Sequence, residues 1–291
     1  MKREEIRIRD PYILPYNGKY YLYGTGIPQK DDINIGRQFW CYISENLEEW
    51  SEPILCFDAP NDFWAEKNFW APEVHIYKGR FYMFATFYAD GKFRVTQALV
   101  ADKPQGPYQV WSKPLTPLDW MSLDGTLYVE DSIPYLVFCH EWLQVGDGEI
   151  AFIPLKEDLS GPSGEAKILF FASESGWAHS INVGEKEGIV TDGPWLVKSE
   201  DELLMFWSSF HCGSYAVGMA VSESGTIVGP WKHLDSLLFE KNGGHGMMFK
   251  AYDGKLYFVL HQPNNFPLER PVFFEIEKAK EGYILKERSV R

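Results

Sequence analysis

The chain has 291 residues, enough for one large domain or two small ones, and its 28 Lys and Arg against 41 Asp and Glu give a formal net charge of −13. No run of Lys or Arg suits phosphate tracking, so neither nucleic acid nor an anionic membrane is expected as a partner. Aromatic residues make up 16% of the chain, a level that fits an all-β core and also a cleft that stacks sugar rings.

The four cysteines, Cys41, Cys56, Cys139 and Cys212, show no C-x-x-C spacing and read as reduced, buried thiols. The N-terminal stretch "MKREEIRIRDPY" lacks the apolar run of a signal peptide, and no segment approaches the ~20 apolar residues that span a bilayer. The expectation from these features is a soluble, cytoplasmic protein.

Taken in chain order, five segments share one plan. They are "RDPYILPYNGKYYLYGTG" from Arg9, "WAPEVHIYKGRFYMFATF" from Trp70 and "SLDGTLYVEDSIPYLVFCHEW" from Ser122, then "TDGPWLVKSEDELLMFWSSF" from Thr191 and "GHGMMFKAYDGKLYFVLHQ" from Gly244. Each has a small or acidic cluster, a short alternating run, a polar turn and an aromatic-rich strand. Asn17-Gly18 and Asp253-Gly254 are the pairs that two-residue hairpins favour, because both positions need positive φ. Outer strands follow each hairpin and end in Pro/Gly turns, at a spacing of roughly 50 to 70 residues that suits a four-stranded blade. No long helical period interrupts the pattern. The expected architecture is all-β, a single five-bladed β-propeller over residues 1–291, with a β-sandwich as the weaker alternative.

In a propeller the innermost strands all run in one direction along the central axis, so residues at matching starts converge at one mouth of the channel. Aligning the hairpins puts Asp10, Ala71, Asp124, Gly193 and Gly246 at equivalent positions. On that alignment Asp192 and His245 lie one residue earlier and Glu73 two later. An Asp before Pro or Gly also makes a simple side-chain turn at a strand start, which is a sufficient account of Asp10 or Asp124 taken singly. Three aspartates converging on one mouth instead favour repulsion that raises at least one pKa, leaving one ionised and one protonated carboxyl, as glycosidic hydrolysis requires.

With these motifs in view, the chain resembles glycoside hydrolase family 43. The resemblance rests on "RDPYI", "WAPEV", the Asp of "SLDGTLY", "DGPWLVK" and "GHG", in the family's order and at blade spacing. It implies an inverting glycosidase acting on arabinose-, xylose- or galactose-containing oligosaccharides. By position, Asp10 matches the general base, Asp124 the carboxylate that adjusts the acid, and Asp192 the general acid. His245 matches a channel histidine that supports a calcium, often through water, and Arg270 an arginine facing the pocket. The family's acid is normally Glu, so Asp192 is one methylene short. Glu73, Glu185 and Glu187 are the nearby substitutes.

Trp70 is the leading sugar-stacking candidate, ahead of Phe39, Trp40, Trp142 and Trp177, and Glu73 and Arg270 complete the candidate substrate-binding set. His75, His140, His179 and His261 are scattered and form no zinc motif, and no nucleophile elbow, P-loop or dinucleotide fingerprint occurs. The rival readings are a sugar-binding propeller that has lost an effective acid, and a glycosidase of another five-bladed clan.

Overall fold

The computed structural model describes residues 1–26, 36–199 and 202–286. Five four-stranded antiparallel sheets follow one another in chain order, and each is one blade of a propeller. Blade one is β1 (Arg9–Tyr16), β2 (Lys19–Thr25), β3 (Gln38–Ser44) and β4 (Ile54–Asp58). Blade two is β5 (Lys67–Tyr77), β6 (Arg80–Tyr88), β7 (Val95–Ala101) and β8 (Gln109–Val110). Blade three is β9 (Ser122–Glu130), β10 (Ile133–His140), β11 (Glu149–Pro154) and β12 (Lys167–Phe171). A two-stranded hairpin, β13 (Ile181–Val183) and β14 (Lys186–Gly188), precedes blade four and belongs to no blade. Blade four is β15 (Asp192–Lys198), β16 (Leu203–His211), β17 (Ser214–Ser222) and β18 (Trp231–His233). Blade five is β19 (Gly244–Lys250), β20 (Leu256–Gln262), β21 (Arg270–Lys278) and β22 (Tyr283–Leu285). Among the described residues the only α-helix is the single turn Trp142–Val145.

The core lies between blades, which explains why the middle strands read as unbroken apolar runs. In β10, Leu136 and Phe138 pack with Phe84 and Val100 of blade two, whereas Val137 and Cys139 pack with Met205 and Trp207 of blade four. In β16, Leu204 and Phe206 turn the other way, onto Phe258 and Leu260 of blade five. A strand sandwiched between two neighbouring blades buries both of its faces, so period-two alternation is replaced by apolar residues on both sides.

Tight turns at Asn17-Gly18, Lys78-Gly79, Asp131-Ser132 and Cys212-Gly213 have positive φ at both residues, the geometry that matches strand twist in two-residue hairpins. The expectation for Asp253-Gly254 is corrected: five residues separate β19 from β20, and only Gly254 has positive φ. Asp253 Oδ1 there accepts the Lys255 amide. The cysteine expectation holds for Cys41, Cys56 and Cys139, which are buried, and fails for Cys212, which is exposed at its turn.

The ring is closed by the chain's beginning meeting its end, without a strand shared between first and last blades. Arg270 Nε, at the start of β21 in blade five, donates to the carbonyl of Glu4. At the seam itself the Asp10 amide donates to Nδ1 of His261 in blade five at 3.2 Å.

Candidate active site

Every innermost strand carries the same irregularity near its start. The register breaks between Arg9 and Tyr12, between Trp70 and Glu73, between Asp192 and Trp195, and between Gly244 and Met247. In blade three it breaks opposite Val137 and Cys139. Within each break one residue has a left-handed backbone: Asp10 (φ 52°), Ala71 (45°), Asp124 (56°), Gly193 (51°) and His245 (46°). The next residue is Pro or Gly in all five blades, namely Pro11, Pro72, Gly125, Pro194 and Gly246. Proline leaves no amide unpaired there, and at Gly246 a Cβ would lie 2.3 Å from the Val259 carbonyl oxygen.

This bulge corrects the blade-five alignment. His245, rather than Gly246, is equivalent to Asp10 and Asp124, and Gly246 takes the place that proline takes elsewhere. Two layers result. The residues before the left-handed position are Arg9, Trp70, Leu123, Asp192 and Gly244, and the first four of these line the central cavity with Asp10, Asp124, Thr25 and His245. The cavity volume is about 100 Å³.

The left-handed amides are held by a second ring of side chains, opposite the first layer on the second strands. Thr25 Oγ1 accepts the Ala71 amide, Thr86 Oγ1 that of Asp124, Ser208 Oγ that of His245, and His261 Nδ1 that of Asp10. In blade three the corresponding residue is Cys139, opposite Leu123. The Gly193 amide instead donates to Asp124 Oδ2 at 3.0 Å, which fixes that carboxylate's orientation.

The three aspartates sit in different electrostatic settings. Burial alone would raise Asp10, but His245, Arg9 and His261 and the Thr25 hydroxyl together hold its carboxyl well below the usual range. His245 Nδ1 is 3.2 Å from Asp10 Oδ1, and Thr25 donates to Oδ2 at 2.7 Å. Asp192 is pushed up to about 7 by burial and by the Asp124 charge, against the opposing pull of His245, the Tyr215 hydroxyl and Arg9. Burial and the charge of Asp10 also drive Asp124 upward, with the Gly193 amide opposing. Asp124 and Asp192 therefore hold a proton between them at neutral pH, while Asp10 remains ionised. One ionised carboxylate and one protonated carboxyl facing a common cavity can activate water and protonate a leaving oxygen.

Tyr215 donates to Asp192 Oδ2 at 2.8 Å, and this bond favours the ionised acid. Tyr215→Phe removes it, so the acid stays protonated to higher pH. The expected result is a shift of the alkaline limb of kcat upward by about one unit, read from a rate profile between pH 5 and 9. A limb that stays put or moves toward acid would sink this assignment.

Of the residues expected at the site, Asp10, Asp124, Asp192 and Trp70 line the cavity. The Arg94 guanidinium covers Trp70 at 5.0 Å and itself pairs with Glu141. Arg270 does not reach the cavity, because its guanidinium donates to the carbonyls of Glu4, Pro267 and Glu269. The pocket arginine is Arg9, which is tied to Asp10 at 3.4 Å, Asn264 at 3.2 Å and Glu269 at 3.8 Å. Glu73 restarts the regular strand after the bulge, opposite Phe84, and binds His75 Nε2 at 3.1 Å. It is buried beside the channel and does not line the cavity. Glu185 and Glu187 lie exposed in the β13–β14 hairpin.

His245 does not fit a directly bound calcium. Its Nδ1 is engaged by Asp10 and by Asp124, the latter at 3.5 Å, and its ring packs against Gly193, where a Cβ would lie 2.6 Å from Cδ2. A hard cation seeks six to eight oxygens, and the carboxylates here face the imidazole.

A five-bladed propeller whose mouth gathers an ionised carboxylate and two carboxyls of raised pKa beside a tryptophan is suited to a glycoside hydrolase. The family model described as Glycosyl hydrolases family 43 matches residues 5–282, and the chain belongs to that family. An endo-arabinase structure from Bacteroides thetaiotaomicron is 39% identical with a TM-score of 0.89, covering 97% of this chain and 98% of that one. An extracellular exo-α-(1→5)-L-arabinofuranosidase of Cellvibrio japonicus is 23% identical, over 89% of this chain and 79% of its own length. The structure of an exo-1,5-α-L-arabinanase from a bovine ruminal metagenomic library, 18% identical with a TM-score of 0.74 and complete coverage of both chains, shares the fold.

Proposed function

We propose that this glycosidase hydrolyses α-1,5-linked arabinofuranosyl oligosaccharides with inversion of anomeric configuration. The observation that carries the catalytic part is the opposed protonation of Asp10 and Asp192 across one cavity. In this reading the ionised Asp10 takes a proton from water as it attacks the anomeric carbon. Asp192 gives its proton to the departing oxygen from the other side. Asp124 shares one proton with Asp192, which keeps the acid's pKa high, and Arg9 and His245 keep the base ionised. Trp70 offers a ring for the sugar, its other face being occupied by Arg94.

The sugar is inferred from similarity to an endo-arabinase and an arabinofuranosidase by their names. A panel of arabino-, xylo- and galacto-oligosaccharides with the matching nitrophenyl glycosides tests it. The expected result is turnover on α-1,5-arabino-oligosaccharides at least tenfold above the others, with the inverted anomer first seen by proton NMR. Preferential xylose or galactose release would replace the substrate, and binding without turnover on any sugar would favour a binding propeller.

A further inference from the structure

Outside the catalytic cavity, two histidines and a cysteine meet at the β16–β17 turn. His211 ends β16, Cys212 opens the turn, and His179 lies between β12 and β13. One ring nitrogen from each histidine and the Cys212 sulfur lie within 4.8 Å of one another, and among the described residues this is the only such group of metal-ligating side chains. His211 Nε2 and Cys212 Sγ are 3.6 Å apart. Zinc–sulfur and zinc–nitrogen bonds of about 2.3 and 2.0 Å at a tetrahedral angle span about that distance.

The protonation pattern suits a cation. His211 Nδ1 donates to the Trp177 carbonyl at 2.8 Å, which leaves Nε2 as an acceptor facing the Cys212 thiol. A carbonyl behind the ring is the usual support of a metal-bound histidine. His179 Nδ1 accepts the Cys212 amide at 3.1 Å and the His179 amide donates to the Phe210 carbonyl, two bonds that hold this ring against the turn. Cys212 itself sits at φ 48°, a left-handed turn position of the kind that Asn17 and Asp131 fill in the first hairpins of blades one and three. Asn, Asp and Gly fill such positions with least strain, and Cys212 is the one exposed cysteine of the four.

We propose that His179, His211 and Cys212 bind a divalent cation of the zinc class, with its fourth position open to water. A thiolate with two imidazoles selects such an ion over calcium or magnesium. Binding sends the Cys212 thiol proton to solvent, replaces the thiol at His211 Nε2 by the metal, and takes one ring nitrogen of His179 as the third ligand. Affinity therefore rises with pH. None of the three residues lines the catalytic cavity, but the ion staples the Trp177–His179 segment to the hairpin that carries Tyr215, whose hydroxyl holds Asp192.

The test uses the full chain stripped of metal. Calorimetric titration with Zn2+ should show one site per chain, and Co2+ should give a thiolate-to-cobalt charge-transfer band with tetrahedral visible bands. In Cys212→Ser the charge-transfer band should vanish, and in Cys212→Ser and His211→Gln zinc affinity should fall at least tenfold. Turnover in chelator should match the unsubstituted protein in both variants, which shows that they fold. Wild-type zinc affinity in Cys212→Ser, or an octahedral cobalt spectrum without a thiolate band, would overturn the proposal.

Discussion

Asp192→Asn lowers kcat on oligosaccharides by about 10²–10⁴-fold, the usual contribution of a positioned general acid, and leaves the propeller folded. The loss is much smaller on nitrophenyl glycosides, whose leaving group departs without a proton. That split separates a lost acid from a lost base. In the unsubstituted enzyme kcat falls as pH rises through about 7, where Asp192 loses its proton. The stability sign follows from the same shift. The folded acid keeps a proton that the unfolded chain releases near pH 4, so burying Asp192 costs stability progressively from there up to about pH 7. Asn carries no such penalty and still accepts from Tyr215, so Asp192→Asn should melt above the unsubstituted protein at pH 8. Equal loss of rate on both substrate types would show that Asp192 is not the proton donor.

Asp10→Asn removes the base and reduces turnover by about 10²–10⁴-fold whatever the leaving group. Its structural effect is opposite to that of Asp192→Asn. Asp10 lies against His245 and Arg9 and accepts from Thr25, so neutralising it leaves Arg9 and His245 without their shared counter-charge. Asp10 is held below the ordinary carboxylate range, so it contributes stability that is complete above the unfolded pKa and lost as pH falls through the folded one. The variant should therefore melt below the unsubstituted protein at pH 7. Turnover within tenfold of normal on oligosaccharides would exclude Asp10 as the base.

The blades were legible in the sequence because hairpin pairs such as Asn17-Gly18 and the recurring aromatic strands mark each repeat. Asp10, Asp124, Asp192 and Trp70 were legible for the same reason, since all four stand in or beside the repeated bulge. The ring of amide acceptors left a signal too: "YGT", "FAT" and "FWS" put Thr25, Thr86 and Ser208 at matching offsets. Arg9 stood in plain view before Asp10, at the offset shared by Trp70 and Asp192. Arg270 and Glu73 were misassigned because their surroundings depend on loop course and on bulge register, which the residue pattern does not encode. Tyr215 reaches Asp192 from a third strand, a contact between distant segments that no local spacing announces. The shorter acid side chain at Asp192 goes with its place in the layer that lines the cavity, where burial and Asp124 raise its pKa.

The seam between the first and last blades has a consequence for how this enzyme comes into being on the ribosome. Asp10 is synthesised with the first blade, yet His245, His261 and Asn264 emerge only with the fifth. Until then four blades can stack as an open arc in which the future base lacks the imidazole that receives its amide and the charge that keeps it ionised. Catalytic competence therefore arrives in a single event, the docking of the fifth blade on the first, and a nascent chain arrested before that point carries all three aspartates without an active centre.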